Sequence, residues 1–237
     1  IVEKPLCLDM DTAEHLHRLV EETGVAVLVD HTYLFSSAYQ MLKQRLDPAV
    51  DPIRVVLSEG MALGPFRSHT PALWDWAVHD VSLCLDLLGH VPCRVDALGG
   101  PADPEGEAEA VSLWLEFAQG ASAWIQAGRL GPSKRRCLSV LTEHHLYLLD
   151  DLADEKLTMA EIEFSARYHE GIPETPARRP IPVDASLPMQ NMLSYFVEGL
   201  SGGDRSRFGT ELAVEAVRVL ATCAQIMRQR RGTSRKV

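Results

Sequence analysis

Two places in the sequence put side chains of suitable types at a spacing that could carry chemistry. Lys4 stands in Glu3-Lys4-Pro5, directly after an apolar strand-like run and before a helical one. Ligands of doubly wound α/β sheets collect at the carboxyl ends of strands, so a lysine there suits a cofactor crevice and does not suit a core. A surface lysine in a turn would read the same way. The second place is Trp74-Asp75-Trp76-Ala77-Val78-His79-Asp80. Asp75 and His79 are i and i+4 and so share one face of a helix. An imidazole beside a carboxylate titrates near neutral pH, and the carboxylate can raise its basicity and fix its orientation for proton transfer. Ser82 and Asp86 continue that polar stripe opposite Leu73, Ala77 and Val81, and an ordinary solvated stripe is the competing reading. A further run of charge, Arg228, Arg230, Arg231, Arg235 and Lys236, sits where cations complement a helix C-terminus, which accounts for it without a ligand. His144-His145 falls in an expected hairpin turn with no third ligand at metal spacing, so no metal site is expected.

The periodicity supplies elements to position these groups. Asp11-Thr12-Ala13-Glu14 has capping-box spacing, Ala13, Leu16 and Val20 follow on one face, and Gly24 stands where a left-handed residue ends a helix. Val25 to Val29 is a continuous apolar run, as expected of a strand covered on both faces. Residues 1–30 therefore read as the closing βαβ unit of a doubly wound domain. A helix is predicted from Ser36 to Leu46, a strand from Ile53 to Leu57, and a Gly- and Pro-rich loop from Gly60 to Pro71. Ala72 to Leu88 reads as a strong helix ended by Gly89. From Cys93 the period becomes two, through Val111–Phe117, Ala121–Ala127, Arg136–Leu141 and Leu146–Leu149, the pattern of an antiparallel meander. Residues 150–187, with Pro173, Pro176, Pro180 and Pro182, read as irregular. Two helices close the chain, one carrying Met189, Met192, Leu193, Phe196, Val197 and Leu200, the other Leu212, Ala216, Val217, Leu220, Ala224 and Met227. The fold class is α+β, joined to an α/β remnant.

Bulk properties exclude more than they indicate. Asp and Glu outnumber Lys and Arg by 33 to 23, and a formal charge of −10 argues against nucleic acid or an anionic membrane as a partner. No apolar run approaches the roughly 18 residues that cross a bilayer. The five cysteines are scattered and lack a CxxC pair, which fits reduced thiols in a cytoplasmic protein. The glycines reproduce no dinucleotide fingerprint, and there is no P-loop, GxSxG elbow or HExxH. Opening at Ile1 within an apolar run, the sequence reads as a piece whose upstream part is absent.

Taken in order, these residues resemble the Gfo/Idh/MocA oxidoreductases, the family of glucose–fructose oxidoreductase and inositol dehydrogenase. The likeness rests on Ile-Val-Glu-Lys-Pro-Leu, Val-Ala-Val-Leu-Val-Asp-His, Leu-Trp-Asp-Trp-Ala-Val-His-Asp, the Trp-Leu-Glu-Phe-Ala-Gln-Gly-Ala-Ser-Ala hairpin and the Leu-Pro-Met…Phe-Val-Glu-Gly-Leu helix. It implies a Rossmann domain holding NAD or NADP, of which residues 1–30 are the end. It also implies a C-terminal α/β domain, residues 31–237, whose open sheet carries helices on one face. That domain supplies the substrate side and, through its sheet, the contacts of a homo-oligomer. Carried over by motif, Lys4 is the lysine near the nicotinamide, with Glu3 and Pro5 beside it in the cofactor-binding turn. His79 takes the proton of a sugar or polyol hydroxyl while hydride moves to the cofactor, and Lys4 stabilises negative charge on that oxygen. Asp75 anchors the hydroxyl or the imidazole. Without a glycine-rich phosphate loop, dinucleotide binding by this chain alone is expected to be weak, and self-association strong. A non-redox binding or assembly subunit, and an NAD-assisted glycoside hydrolase on the same scaffold, stay open as other readings.

Overall fold

The computed structural model describes residues 1–67, 70–162 and 176–234. Its first helix, α1 (Met10–Thr23), is capped by Asp9 rather than Asp11: the Asp9 carboxylate accepts a hydrogen bond from the Thr12 amide at 2.9 Å. Asp9 has the extended backbone (φ −148°, ψ 156°) that lets a side chain turn back on the first-turn amides, whereas Asp11 already lies within the helix. Gly24 ends α1 at φ 63°, as expected. The apolar run after it does not form a strand over its length. Only Val29, parallel to Val2, and Leu28, parallel to Gly209, make bridges, and Val25 is exposed. A strand persists where ladder partners flank it, and only these two residues have them. The Val2–α1–Val29 crossover still delivers Lys4 to within hydrogen-bond reach of Asp75.

A turn of 3₁₀-helix, Thr32–Phe35, leads into α2 (Ser37–Arg45), whose first turn is capped by the Ser36 hydroxyl. One sheet then organises the rest. Its strands are β1 (Ile53–Leu63), β2 (Arg94–Gly99), β3 (Ala110–Glu116), β4 (Ser122–Gly128), β5 (Leu130–Thr142), β6 (His145–Asp150), β7 (Leu157–Glu161) and β8 (Arg179–Pro180). The spatial order is β2-β3-β4-β1-β5-β6-β7-β8, antiparallel throughout except for the parallel pair β1–β4. β1 thus enters the middle of the meander and runs to Leu63, beyond the expected end at Leu57, because β4 and β5 pair with it on both sides. β7 and β8 occupy part of the stretch expected to be irregular. Pro173, Arg235 and Lys236 lie outside the described residues.

Alternation decides which face is covered. Val56, Leu113, Leu115, Ile125, Leu138 and Val140 are buried on the side against which α3 (Val78–Leu88) and α5 (Glu211–Ser234) pack. Among the described residues the opposite face has no cover, with Leu57 and Trp124 exposed and Trp114 edge-on to Trp124 at 5.6 Å. The helix expected over Ala72–Leu88 is present: Ala72 opens it and a π-type turn, Leu73–Ala77, runs directly into α3. Nearly every side of it is buried, Asp80 and Ser82 included, so its polar stripe is not solvated. Along α4 (Pro188–Leu200) the expected apolar stripe exists but is mostly exposed. Met192 and Gly199 are buried, while Met189, Leu193, Val197 and Leu200 face solvent. No described helix is long and apolar enough to cross a membrane.

Candidate active site

Lys4, Asp75 and His79, remote from one another in the sequence or set apart on a helix, line one cleft of about 270 Å³. Lys4 Nζ donates to the Asp75 carbonyl oxygen at 2.8 Å and to Asp75 Oδ1 at 3.2 Å. Asp75 Oδ2 accepts from Arg129 Nη2 at 2.9 Å. No hydrogen bond joins Asp75 to His79 among the described residues. Asp75 lies in a π-type turn ahead of α3, and its carboxylate is turned towards Lys4 and Arg129. This corrects the expectation that Asp75 raises the basicity of His79: its charge is spent on Lys4 and Arg129. Glu3 is exposed, and neither it nor Pro5 lines the cleft.

Arg129 is the group behind this arrangement. It is 1% exposed, bonded through Nη1 to Glu109 Oε2 at 3.1 Å and through Nη2 to the Thr70 carbonyl at 2.7 Å as well as to Asp75. Gly128 makes its position attainable. At φ 144° it stands so close to β3 that a Cβ would come within 2.6 Å of the Ala110 Cα. Only glycine admits both the angle and the approach. A second glycine does the same for a second ion pair. A Cβ at Gly60 would meet Asp80 Oδ2 and Arg136 Nη1 at 2.7 Å, where the guanidinium donates to both carboxylate oxygens at 3.2 Å.

The His79 ring is fixed by stacking. It meets Tyr33 edge-on with centroids 4.9 Å apart, and the Arg136 guanidinium covers the Tyr33 ring at 4.6 Å. His79 Nδ1 is buried without a partner among the described residues, which leaves Nε2 as the ring nitrogen with access to the cleft. Burial first, then the positive charges of Lys4 and Arg136 and the His31 ring, push the His79 pKa well below 6.5. The ring is therefore neutral at physiological pH, with a lone pair to offer. Burial works against ionisation of Asp75, but its hydrogen bonds from Arg129 and Lys4 and the Lys4 charge outweigh that and hold it below the ordinary carboxylate range.

His31, beneath the site, has both ring nitrogens buried without partners, and burial pushes its pKa down to about 4. This gives stability a pH dependence of definite sign. Above pH 6.5 both folded and unfolded forms of His31 and His79 are neutral. Below it the unfolded chain takes up protons that the fold refuses, so stability falls, for His31 until about pH 4. Denaturation midpoints should decline across that window, and His31→Phe should flatten part of the slope. An unchanged slope in the variant would show that His31 titrates alike in both states.

A larger cleft, of about 680 Å³, contains none of the three predicted residues. Its Asp86 is already bonded to Tyr39, Lys43 and Arg207. Site chemistry here follows the convergent side chains, not the larger volume. Sequence reasoning missed Tyr33, Arg67, Arg129, Lys134, Arg135 and Arg136, five of which line the smaller cleft. The one available signal was Lys134-Arg135-Arg136, a basic run opening a strand in an acidic chain. Among the described residues no group of three or more His, Cys, Asp or Glu could hold a metal ion.

No family model matches the chain. A curated relative, the UDP-N-acetylglucosamine 3-dehydrogenase of Acidithiobacillus ferrooxidans, is 25% identical over 155 residues, 64% of this chain, and the match spans about half (48%) of that protein. Its crystal structure superposes with a TM-score of 0.75 at 20% identity, over 94% of this chain and 67% of that one. A protein of Magnetospirillum magnetotacticum MS-1 described as an oxidoreductase is 34% identical with a TM-score of 0.80, and the match covers 94% of this chain and 71% of that one. Oxidoreductase is the class these relatives share, on the same α+β fold with its eight-stranded mixed sheet. The chain belongs to the Gfo/Idh/MocA family of oxidoreductases.

Proposed function

We propose that this chain is the substrate-side part of a nicotinamide-dependent dehydrogenase that transfers a hydride between NAD or NADP and a hydroxyl-bearing carbon of a sugar, polyol or related compound. In this reading residues 1–30 end the dinucleotide-binding domain and residues 31–237 form the substrate domain. The observation that carries it is the convergence of the Lys4 ammonium and His79 Nε2 on one cleft. About 270 Å³ accommodates a sugar or a nicotinamide ring but not a dinucleotide, and the sequence has no glycine-rich phosphate loop. The residues present thus fit the reactive end of the cofactor, which Lys4, in the turn with Glu3 and Pro5, would hold. A bound nicotinamide supplies the hydride acceptor.

The remaining work falls to the chain's own side chains. Neutral His79 accepts the hydroxyl proton at Nε2. The Lys4 ammonium faces the oxygen as negative charge develops and stabilises it. Asp75 touches neither proton nor oxygen; clamped by Arg129, it fixes Lys4. The curated relative is named for a sugar nucleotide, which supports a sugar as the substrate class. Incubating the complete enzyme with NAD or NADP and a panel of sugars and polyols should yield reduced nicotinamide, read by its absorbance. Hydrolysis of a glycoside without net reduced cofactor would replace this reading with the hydrolase one.

The uncovered sheet face fits a second copy of the chain. Trp124, exposed at the centre of that face against Trp114, is its natural anchor. Trp124→Glu should shift sedimentation from dimer or higher species towards monomer. A wild-type chain that sediments as a monomer would remove the expectation.

A further inference from the structure

We propose that the substrate is anionic, carrying a phosphate or carboxylate group that Arg67 and Lys134 seat at the mouth of the cleft. This deepens the hydride-transfer reading and rests on it for the word substrate. The cleft is lined by Lys4, Arg67, Lys134, Arg135 and Arg136, against a single lining carboxylate, Asp75. That concentration of cations occurs in a chain whose net charge is −10. Internal pairing accounts for only part of it. Arg136 is consumed by buried Asp80, and Arg135 by Glu59 at 3.0 Å. Asp75 is already bonded to Lys4 and Arg129, and Arg67 stands 3.8 Å from it with 59% of its side chain exposed. Lys134 is exposed and has no ion-pair partner among the described residues.

The backbone places Lys134 deliberately. Along the β1–β5 pair, Met61 faces Arg135 and Leu63 faces Leu130, so two steps on β1 answer to five on β5. The extra residues form a bulge that swings Lys134 out of the ladder towards Lys4 and Arg67; such bulges re-aim side chains beside sites. Gly131 permits it, since a Cβ there would come within 2.8 Å of Met61 Cβ and 3.1 Å of the Ala62 amide nitrogen. An unpaired Lys134 and an exposed Arg67 that shares Asp75 with Lys4 and Arg129 suit a ligand that brings its own negative charge beside the imidazole.

The test is a binding titration of this chain with glucose 6-phosphate, glucuronate and glucose, by calorimetry. Both anionic probes should bind at least about tenfold more tightly than glucose, with the advantage shrinking between about 50 mM and about 500 mM salt. Phosphate and carboxylate sources are separated by which of the two binds better. The double variant Arg67→Gln/Lys134→Gln should lose the preference while its thermal midpoint and circular dichroism stay near wild type, both positions being exposed. Equal binding of all three compounds, no binding of any, or an anion preference retained in the double variant overturns the inference. So does a double variant that loses NADH affinity while keeping glucose 6-phosphate affinity, since the cations would then serve the dinucleotide. No turnover is involved, so failure of hydride transfer leaves this result standing. Conversely, turnover of the anionic substrate at unchanged KM in the double variant removes the anion site and leaves hydride transfer intact.

Discussion

Replacing His79 with alanine in the complete enzyme lowers kcat by about 10²–10⁴-fold, the loss typical of a positioned general base, while NADH affinity stays near wild type. The expectation follows from the position of the ring. Its Nε2 opens on the cleft, its Nδ1 is sealed in, and Tyr33 fixes its plane, so the ring is held ready to accept the proton. Truncation to alanine leaves Lys4 and its ion pair with Asp75 untouched, which is why binding should survive. The pH profile provides a second signature. A base must be unprotonated to act, and burial together with Lys4 and Arg136 holds the His79 pKa well below 6.5. Turnover should therefore stay level as pH falls through 6.5 and drop only at lower pH. Near-native turnover of His79→Ala from about pH 6 to about pH 9 would assign the base elsewhere.

The largest effect on stability is expected at Arg129. Arg129→Met keeps most of the side-chain volume but strips two carboxylates, on Glu109 and Asp75, and two carbonyls, of Arg67 and Thr70, of their buried donor. Breaking a buried ion pair by removing one partner costs about 3–5 kcal/mol, because the charge left behind is neither solvated nor matched. The same change frees the Asp75 carboxylate to rotate and so loosens Lys4, which keeps its bond to the Asp75 carbonyl, giving a fall in kcat on top of the loss of stability. Adding Glu109→Gln and Asp75→Asn to Arg129→Met should recover part of the stability, since no bare charge then remains, but not the activity. Urea denaturation of the three proteins distinguishes these contributions. A single-variant loss within about 1 kcal/mol would mean that water solvates the carboxylates in place of Arg129.

Local spacing determined most of what the sequence disclosed. Gly24 and Gly89 stop α1 and α3 because a left-handed angle is needed there whatever surrounds them. Alternation along β3 and β4 chose the buried face correctly, since it depends only on the two-residue period of a strand. Motif order identified Lys4, Asp75 and His79 as a set, and the fold brings all three to one cleft. Spacing also misled where a longer-range partner decided the outcome. Asp9 took the cap from Asp11 through its backbone angles, and Val25 to Val27 stayed out of any ladder for lack of flanking strands. Periodicity could not place β1 between β4 and β5, because strand order is set by which edges meet and not by any one strand's pattern.

The chemistry of the site divides in the same way. Residue types fixed the available groups: an amine, an imidazole and a carboxylate. Their protonation states and pairings were decided by tertiary structure alone. A helical i, i+4 rule joined Asp75 to His79, yet Arg129 from the end of β4 and Lys4 from the first turn reached the carboxylate first. Burial then left the imidazole neutral instead of making it more basic. Electrostatic energy falls off with distance and grows with burial, and neither quantity is written in a sequence. It appears only once the chain has brought residues 4, 75, 79 and 129 together.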